Sequence, residues 1–219
     1  MVHHWRMRLD HLSYAAGPDG LAACAQRVGS TLGASFRDGG LHPRFGTRNF
    51  VMPLADDCYL EVVEALDHPA VDTAPFGRAV RARSLAGGGW LGWAVRVDDM
   101  NSVEARLGRK AVDGHRRRPD GFDLRWTQLG VNDLRVDPQL PYFIHWLSEP
   151  EEHPAFGGSS ITLRGLEIAG DEAAVDSYLG VASTQPLDGI SVEWRSSDEH
   201  DTGVIAATFD TAHGSVRVD

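Results

Sequence analysis

The sequence predicts an α+β fold assembled from repeated βαβββ modules. Along 219 residues, one order of elements recurs three times: an apolar strand, a short helix and a set of further extended stretches. A glycine follows the last residue of each of the three helices, and runs alternating with period 2 follow the helix in each segment. Recurrence at this length decides architecture before any local detail does.

The first segment opens with a strand at 9–16. The break Gly17-Pro18-Asp19-Gly20 introduces a helix at 21–32 that Gly33 stops, and extended stretches close in Cys58-Tyr59-Leu60-Glu61-Val62-Val63. The second segment, 90–147, repeats the order. It has a strand at 93–97, a helix started by Asp98-Asp99 over 100–107 and stopped by Gly108, and a closing Pro141-Tyr142-Phe143-Ile144-His145-Trp146. A third, shorter and more polar β-α-β-β-β unit begins at Ile161. Its helix starts at Asp171-Glu172 and reaches Leu179-Gly180, and its later strands fall at 190–194, 204–209 and 215–218. The acidic stretch 197–201 reads as a solvated turn. Residues 68–89 and 149–160, rich in Pro, Gly and charge, read as linkers, the first with a helical turn at 78–85. The expected organisation is a paired domain over 8–150 and a third unit over 160–219.

Composition narrows the function. With 42% hydrophobic and 24% charged residues the chain is globular rather than disordered. A formal net charge of -10 repels phosphate backbones, so nucleic acid is not an expected partner. The densest basic patch, Arg116-Arg117-Arg118, lies in a Pro/Gly turn context and reads as a solvated loop, with an anion contact as the alternative. No apolar run approaches the roughly 20 residues that cross a bilayer, so no membrane role is expected. Cys24 and Cys58 have no CxxC spacing, and no secretory leader is visible, which fits a reducing cytoplasm. Lys110 is the sole lysine among 21 basic residues, a skew that suits a GC-rich bacterial genome. A Gly-x-Ser-x-Gly elbow, a P-loop and a Gly-x-Gly-x-x-Gly turn are all lacking, which argues against a nucleophilic hydrolase or a nucleotide site.

Leu9-Asp10-His11-Leu12, Gly39-Gly40-Leu41-His42-Pro43, Gly46-Thr47-Arg48-Asn49 and Tyr59-Leu60-Glu61 carry a more specific signal. In this order they resemble the glyoxalase-like branch of the vicinal oxygen chelate superfamily. The resemblance spans about 8–150 and implies paired modules curled into a cup-shaped mixed sheet. It also implies one divalent metal ion (Zn, Mn, Ni or Fe) that chelates adjacent substrate oxygens, as in lyases, isomerases and dioxygenases of that superfamily. Carried over, the first-strand ligand position falls on His11 and the fourth-strand position on Glu61. The second module has aromatic residues, Trp90 to Trp93, at its first-strand position, and His145 at its last. His11, Glu61 and His145 are therefore the expected metal ligands, with His42 and Glu61 as the catalytic acid/base residues. Asn49, Trp93, Arg125 and Trp126 are the expected substrate contacts.

Plainer readings stand beside these. Glu61 would otherwise pair with Arg48 or Arg125, and a cup with one ligand replaced by an aromatic would bind a drug or metabolite without metal. A small-molecule substrate or ligand is expected in either case. A homodimer through an exposed sheet edge stays open.

Overall fold

A computed structural model describes residues 7–198 and 201–219. In the first module, β1 (Met7–Ala15) leads to α1 (Leu21–Leu32), then β2 (Arg37–His42), β3 (Thr47–Pro53) and β4 (Tyr59–Ala65). α1 forms where expected because Gly33 adopts φ 71°, the left-handed conformation in which its N–H caps the last carbonyls. α2 (Ala70–Thr73) and α3 (Pro75–Leu85) follow. The second module comprises β5 (Gly89–Val97), α4 (Met100–Leu107), β6 (Val112–Arg117), β7 (Asp123–Leu129), α5 (Asp133–Val136) and β8 (Tyr142–Trp146). Asp99 caps α4 by accepting from the N–H groups of Asn101 and Ser102.

The two modules close an eight-stranded barrel in the order β1-β4-β3-β2-β6-β7-β8-β5. Each module pairs its first strand in parallel with its last, and the modules meet along β1–β5 and at β2–β6. The second junction is the pair Leu41–Arg117, next to Gly40. A Cβ on Gly40, at φ 109°, would stand 2.0 Å from the Arg117 carbonyl oxygen, so glycine is what lets these strands touch. Among the described residues, the ring of strands places the expected cup inside a closed wall.

The third unit comprises β9 (Thr162–Ala169), α6 (Glu172–Leu179), β10 (Ser191–Arg195), β11 (Gly203–Thr211) and β12 (Gly214–Val218). It keeps the element order of the modules but not their pairing. Its sheet runs β10-β9-β11-β12, so the first strand lies in the middle. It does not stand apart from the barrel: Leu163, Leu166, Ile168, Ala207 and Phe209 share one apolar core with Leu12, Trp93 and Val95 on the barrel's outer face.

The two expected linkers are structural instead. α3 buries Phe76, Ala79 and Val80 against Leu91, Ala94 and Leu134, and so plugs one end of the barrel. Residues 149–158 cover the opposite side, with His153, Pro154 and Ala155 buried and Ala155 packed on Val51 and Tyr59. No helix among the described residues is long and apolar enough to cross a membrane.

Candidate functional site

A β-bulge builds the site. In the β1–β5 ladder Leu9 pairs with Val95 and His11 with Ala94, leaving Asp10 as the extra residue. The bulge turns Asp10 and His11 toward each other, and the Asp10 Oδ2 to His11 Nδ1 distance is 2.7 Å. Asp10 is fully buried. Its other oxygen accepts from Trp146 Nε1 at 2.9 Å and His153 Nε2 at 3.0 Å. Burial alone would raise the Asp10 pKa, but the hydrogen bonds from His11 and His153 and the nearby imidazoles outweigh it and hold the carboxyl well below the usual range.

An ionised Asp10 can only accept, which places a proton on His11 Nδ1, and in the neutral imidazole Nε2 is then an acceptor. Tyr142 donates its hydroxyl to that nitrogen at 2.6 Å. Burial, with Glu61 nearby, pushes the Tyr142 pKa well above that of a free phenol, so the hydroxyl keeps its proton. Asp10, His11 and Tyr142 thus form one directed chain of hydrogen bonds, with a phenol oxygen at its inner end.

Glu61 stands across from it on β4, its Oε2 3.9 Å from His11 Nε2. Ser13 donates to Oε2 at 2.7 Å and Asn49 Nδ2 to Oε1 at 2.6 Å, so the carboxylate is oriented by two neutral donors. Neither Arg48 nor Arg125 reaches it: Arg48 pairs with Asp38 and Arg125 with Asp123. His42 is buried among Phe45, Phe76 and Trp126, and its Nδ1 lies 2.9 Å from Thr47 Oγ1. Burial first, then the neighbouring Arg116 and His11, lower its pKa well below the ordinary value, so it is a neutral imidazole.

These side chains surround an internal cavity of about 30 Å³, lined also by Tyr59, Arg116, Gln128, Ile144 and Trp146. That is room for roughly two waters. A hollow of about 430 Å³ beside α1 is larger, but its lining carries no ionisable side chain.

Five of the expected residues border the cavity: His11, His42, Asn49, Glu61 and Trp126. Three expected residues do not. His145 points out of the barrel, with Nδ1 3.0 Å from the Val97 carbonyl, because strand alternation turns Tyr142, Ile144 and Trp146 inward. Trp93 is fully buried on the outer face, where its indole donates to the Gln139 carbonyl at 3.0 Å. Arg125 alternates with Trp126 and is exposed.

Tyr142 lines the cavity without having stood out in the sequence, and so does Arg116, which is expected in a solvated loop with an anion contact as the alternative but lies buried in β6. Gly114 and Arg116 share a strand face, and Gly114 pairs with Trp126 across the ladder, so an inward Trp126 implies an inward Arg116. That register is the available signal.

The residues do not fit the implied metal. No three His, Cys, Asp or Glu groups among the described residues come together to hold an ion. His11 Nε2 and both oxygens of Glu61 are already engaged by protein donors, and the third expected ligand faces outward.

The two modules form a barrel whose small inner cavity is lined by a mixture of aromatic and polar side chains. The chain belongs to the glyoxalase-like domain family, whose model matches residues 9–180, within the vicinal oxygen chelate superfamily. No curated protein matches it. Among solved structures, a hypothetical protein from Staphylococcus aureus is similar with a TM-score of 0.61 at 12% identity, over 97% of this chain and 86% of the other. Methylmalonyl-CoA epimerase from Mycobacterium tuberculosis gives 0.44 at 14% identity, over 67% and 91%. A variant of the Streptomyces coelicolor methylmalonyl-CoA epimerase in complex with 2-nitronate-propionyl-CoA gives 0.44 at 18%, over 64% and 98%.

Proposed function

We propose that the protein is an isomerase- or lyase-type enzyme that moves a proton on a small oxygen-bearing substrate, using side chains in place of a bound metal. The observation that carries this reading is the Asp10–His11–Tyr142 chain facing the Glu61 carboxylate across 3.9 Å. Glu61 takes a proton from the carbon next to a carbonyl. On binding, the Tyr142 hydroxyl turns its one proton from His11 Nε2 to the carbonyl oxygen as that oxygen becomes an enolate, and His11 donates nothing to substrate but sets the resting position of the phenol. Asp10 fixes the His11 tautomer. Asn49 and Ser13 keep Glu61 aimed, and the walls of Phe45, Phe76 and Trp126 exclude bulk water. While the enolate persists it carries the negative charge that Glu61 gives up on taking the proton, so the net charge of the cavity is unchanged.

The test is solvent deuterium exchange at the α-carbon of a panel of 2-oxo acids and α-hydroxy carbonyl compounds, followed by NMR with chelator-treated protein. Exchange that falls at least 100-fold in Glu61→Gln and Tyr142→Phe is the expected result. Exchange by no compound, or equal exchange by both variants, removes the reading.

A second reading has its own observation. The lining, with apolar walls of Phe45, Phe76 and Trp126 around a few polar groups such as Asn49 and Gln128, also suits a binding protein that holds a ligand without converting it once the side chains part to widen the cavity. Saturable binding without exchange in the same experiment would select it.

A further inference from the structure

Arg116 is 3% exposed, yet among the described residues its guanidinium has no ion pair, and its Nε has no hydrogen-bond partner. Burying an unpaired cation is costly, and proteins keep one where a ligand supplies the missing charge. Arg116 also occupies a particular place: it lines both the internal cavity and a separate outer hollow of about 300 Å³. That hollow lies between β2, the turn after β6 and the 151–156 segment.

The charges of the outer hollow cancel as a sum, but they are unevenly paired. Arg118 takes both Asp120 and Glu152, and Asp38 pairs with Arg48. Arg37 has only the Pro154 carbonyl, and Glu151 is exposed on the rim. Neither Arg37, which is exposed, nor the buried Arg116 has a carboxylate within ion-pair distance among the described residues, and Glu61 acts on Arg116 only from farther off across the cavity.

Space is kept for them as well. A Cβ on Gly39 would stand 2.1 Å from Asn49 Oδ1 and 3.1 Å from Arg116 Nη1, so a side chain there would fill the floor between hollow and cavity. Asn49 Oδ1 is itself buried without a partner. The floor of the hollow thus presents one unanswered cation and one unanswered acceptor.

We propose that Arg116, with Arg37, binds an oxyanion group, a carboxylate or phosphate, of a substrate whose reacting carbon lies a few bonds away in the internal cavity. The Asn49 amide oxygen accepts from a hydroxyl of the same molecule. This rests on the proton-transfer reading for what happens in the cavity and names the substrate class: a small anionic hydroxy- or oxo-compound. The carboxylate or phosphate gives Arg116 its bidentate partner, and the same cation then stabilises the enolate forming beside it.

Thermal unfolding and calorimetric titration of the full chain at constant ionic strength test this, with chloride, acetate, malonate and inorganic phosphate as probes. Malonate or phosphate, but not chloride, is expected to raise the Tm of the wild type, by roughly 5–10 °C at about 100 times its Kd. A larger effect of phosphate assigns a phosphate group, and a larger effect of malonate a carboxylate. Arg116→Met is expected to bind the preferred anion at least 10-fold more weakly and, without anion, to unfold at a higher temperature than the wild type. Arg37→Gln is expected to lose about 3-fold or more in affinity. His11→Gln keeps the anion affinity whatever becomes of proton transfer, which separates the two claims. If Arg116→Met fails to fold, Arg116→Lys serves, with weakened binding expected from the lost fork. The proposal is overturned if no oxyanion outdoes chloride on the wild type, or if the Arg116 variants bind as tightly as the wild type does.

Discussion

Replacing Asp10 by Asn tests the electrostatic reasoning at its most exposed point. The carboxylate accepts three N–H groups at or within 3.0 Å, from His11, Trp146 and His153, and Arg96 Nε lies 3.5 Å away. An amide offers one accepting oxygen and turns an NH₂ toward at least one of those donors. Hydrogen bonds to a buried charge contribute about 1.5–3 kcal/mol each, so losing one and weakening the others costs roughly 3–5 kcal/mol. Urea unfolding at pH 7 is the assay.

The pH dependence sharpens it. The folded-state pKa of Asp10 is depressed, so its stabilisation is complete above the unfolded value of about 3.9 and is lost as pH falls toward the folded pKa. The gap between wild type and Asp10→Asn is expected to be flat above about pH 5 and to narrow below pH 4 by up to about 1.4 kcal/mol per pH unit. A gap under about 1 kcal/mol at pH 7, or one that widens in acid, would refute the reasoning.

Other outcomes follow from the same geometry. His42 is buried and neutral while its unfolded counterpart gains a proton below about pH 6.5, so the wild type loses stability there and His42→Gln should show a shallower acid limb in urea titrations. A Cβ on Gly114 would stand 2.3 Å from Trp126 Nε1, so Gly114→Ala should displace the indole and cost about 1–3 kcal/mol, visible as a changed near-UV spectrum. Phe76→Ala should open the barrel end and cost about 3–5 kcal/mol in the same unfolding assay. His145→Ala, outside the barrel, should leave α-carbon exchange within about 2-fold of wild type, whereas Glu61→Gln abolishes it.

The parts of the fold that local chemistry decides are legible in the sequence. Gly33, Gly108 and Asp99 set helix ends through backbone conformation and capping, and the helices at 21–32 and 100–107 form there. Pairing over long distances is not. The third unit repeats the element order, yet β9 sits between β10 and β11, because nothing in a strand's own residues says which neighbour it meets. α3 reads as a linker with only a helical turn at 78–85, and its start is missed because three arginines and flanking glycines mask a buried Phe76, Ala79 and Val80 stripe.

The lining of the cavity is legible where the family resemblance and strand phase agree, at His11, Asn49 and Glu61. The two part on β8, where an imidazole at His145 looks like chemistry and a phenol at Tyr142 looks like core. Arg116 is hidden by its company, since Arg117 and Arg118 beside it are the solvated residues that a basic run suggests. Only the ladder register with Trp126 separates it from them.

The central claim is that side chains, and not an ion held by His11, Glu61 and His145, do the chemistry of the cavity. Elemental analysis of the full chain after reloading with Zn, Mn, Ni and Fe(II), beside His11→Ala and Glu61→Ala, measures it most directly. The account predicts well under one equivalent of any metal, unchanged in both variants, with α-carbon exchange surviving chelation. One equivalent of metal that both variants lose, and on which exchange depends, would contradict it.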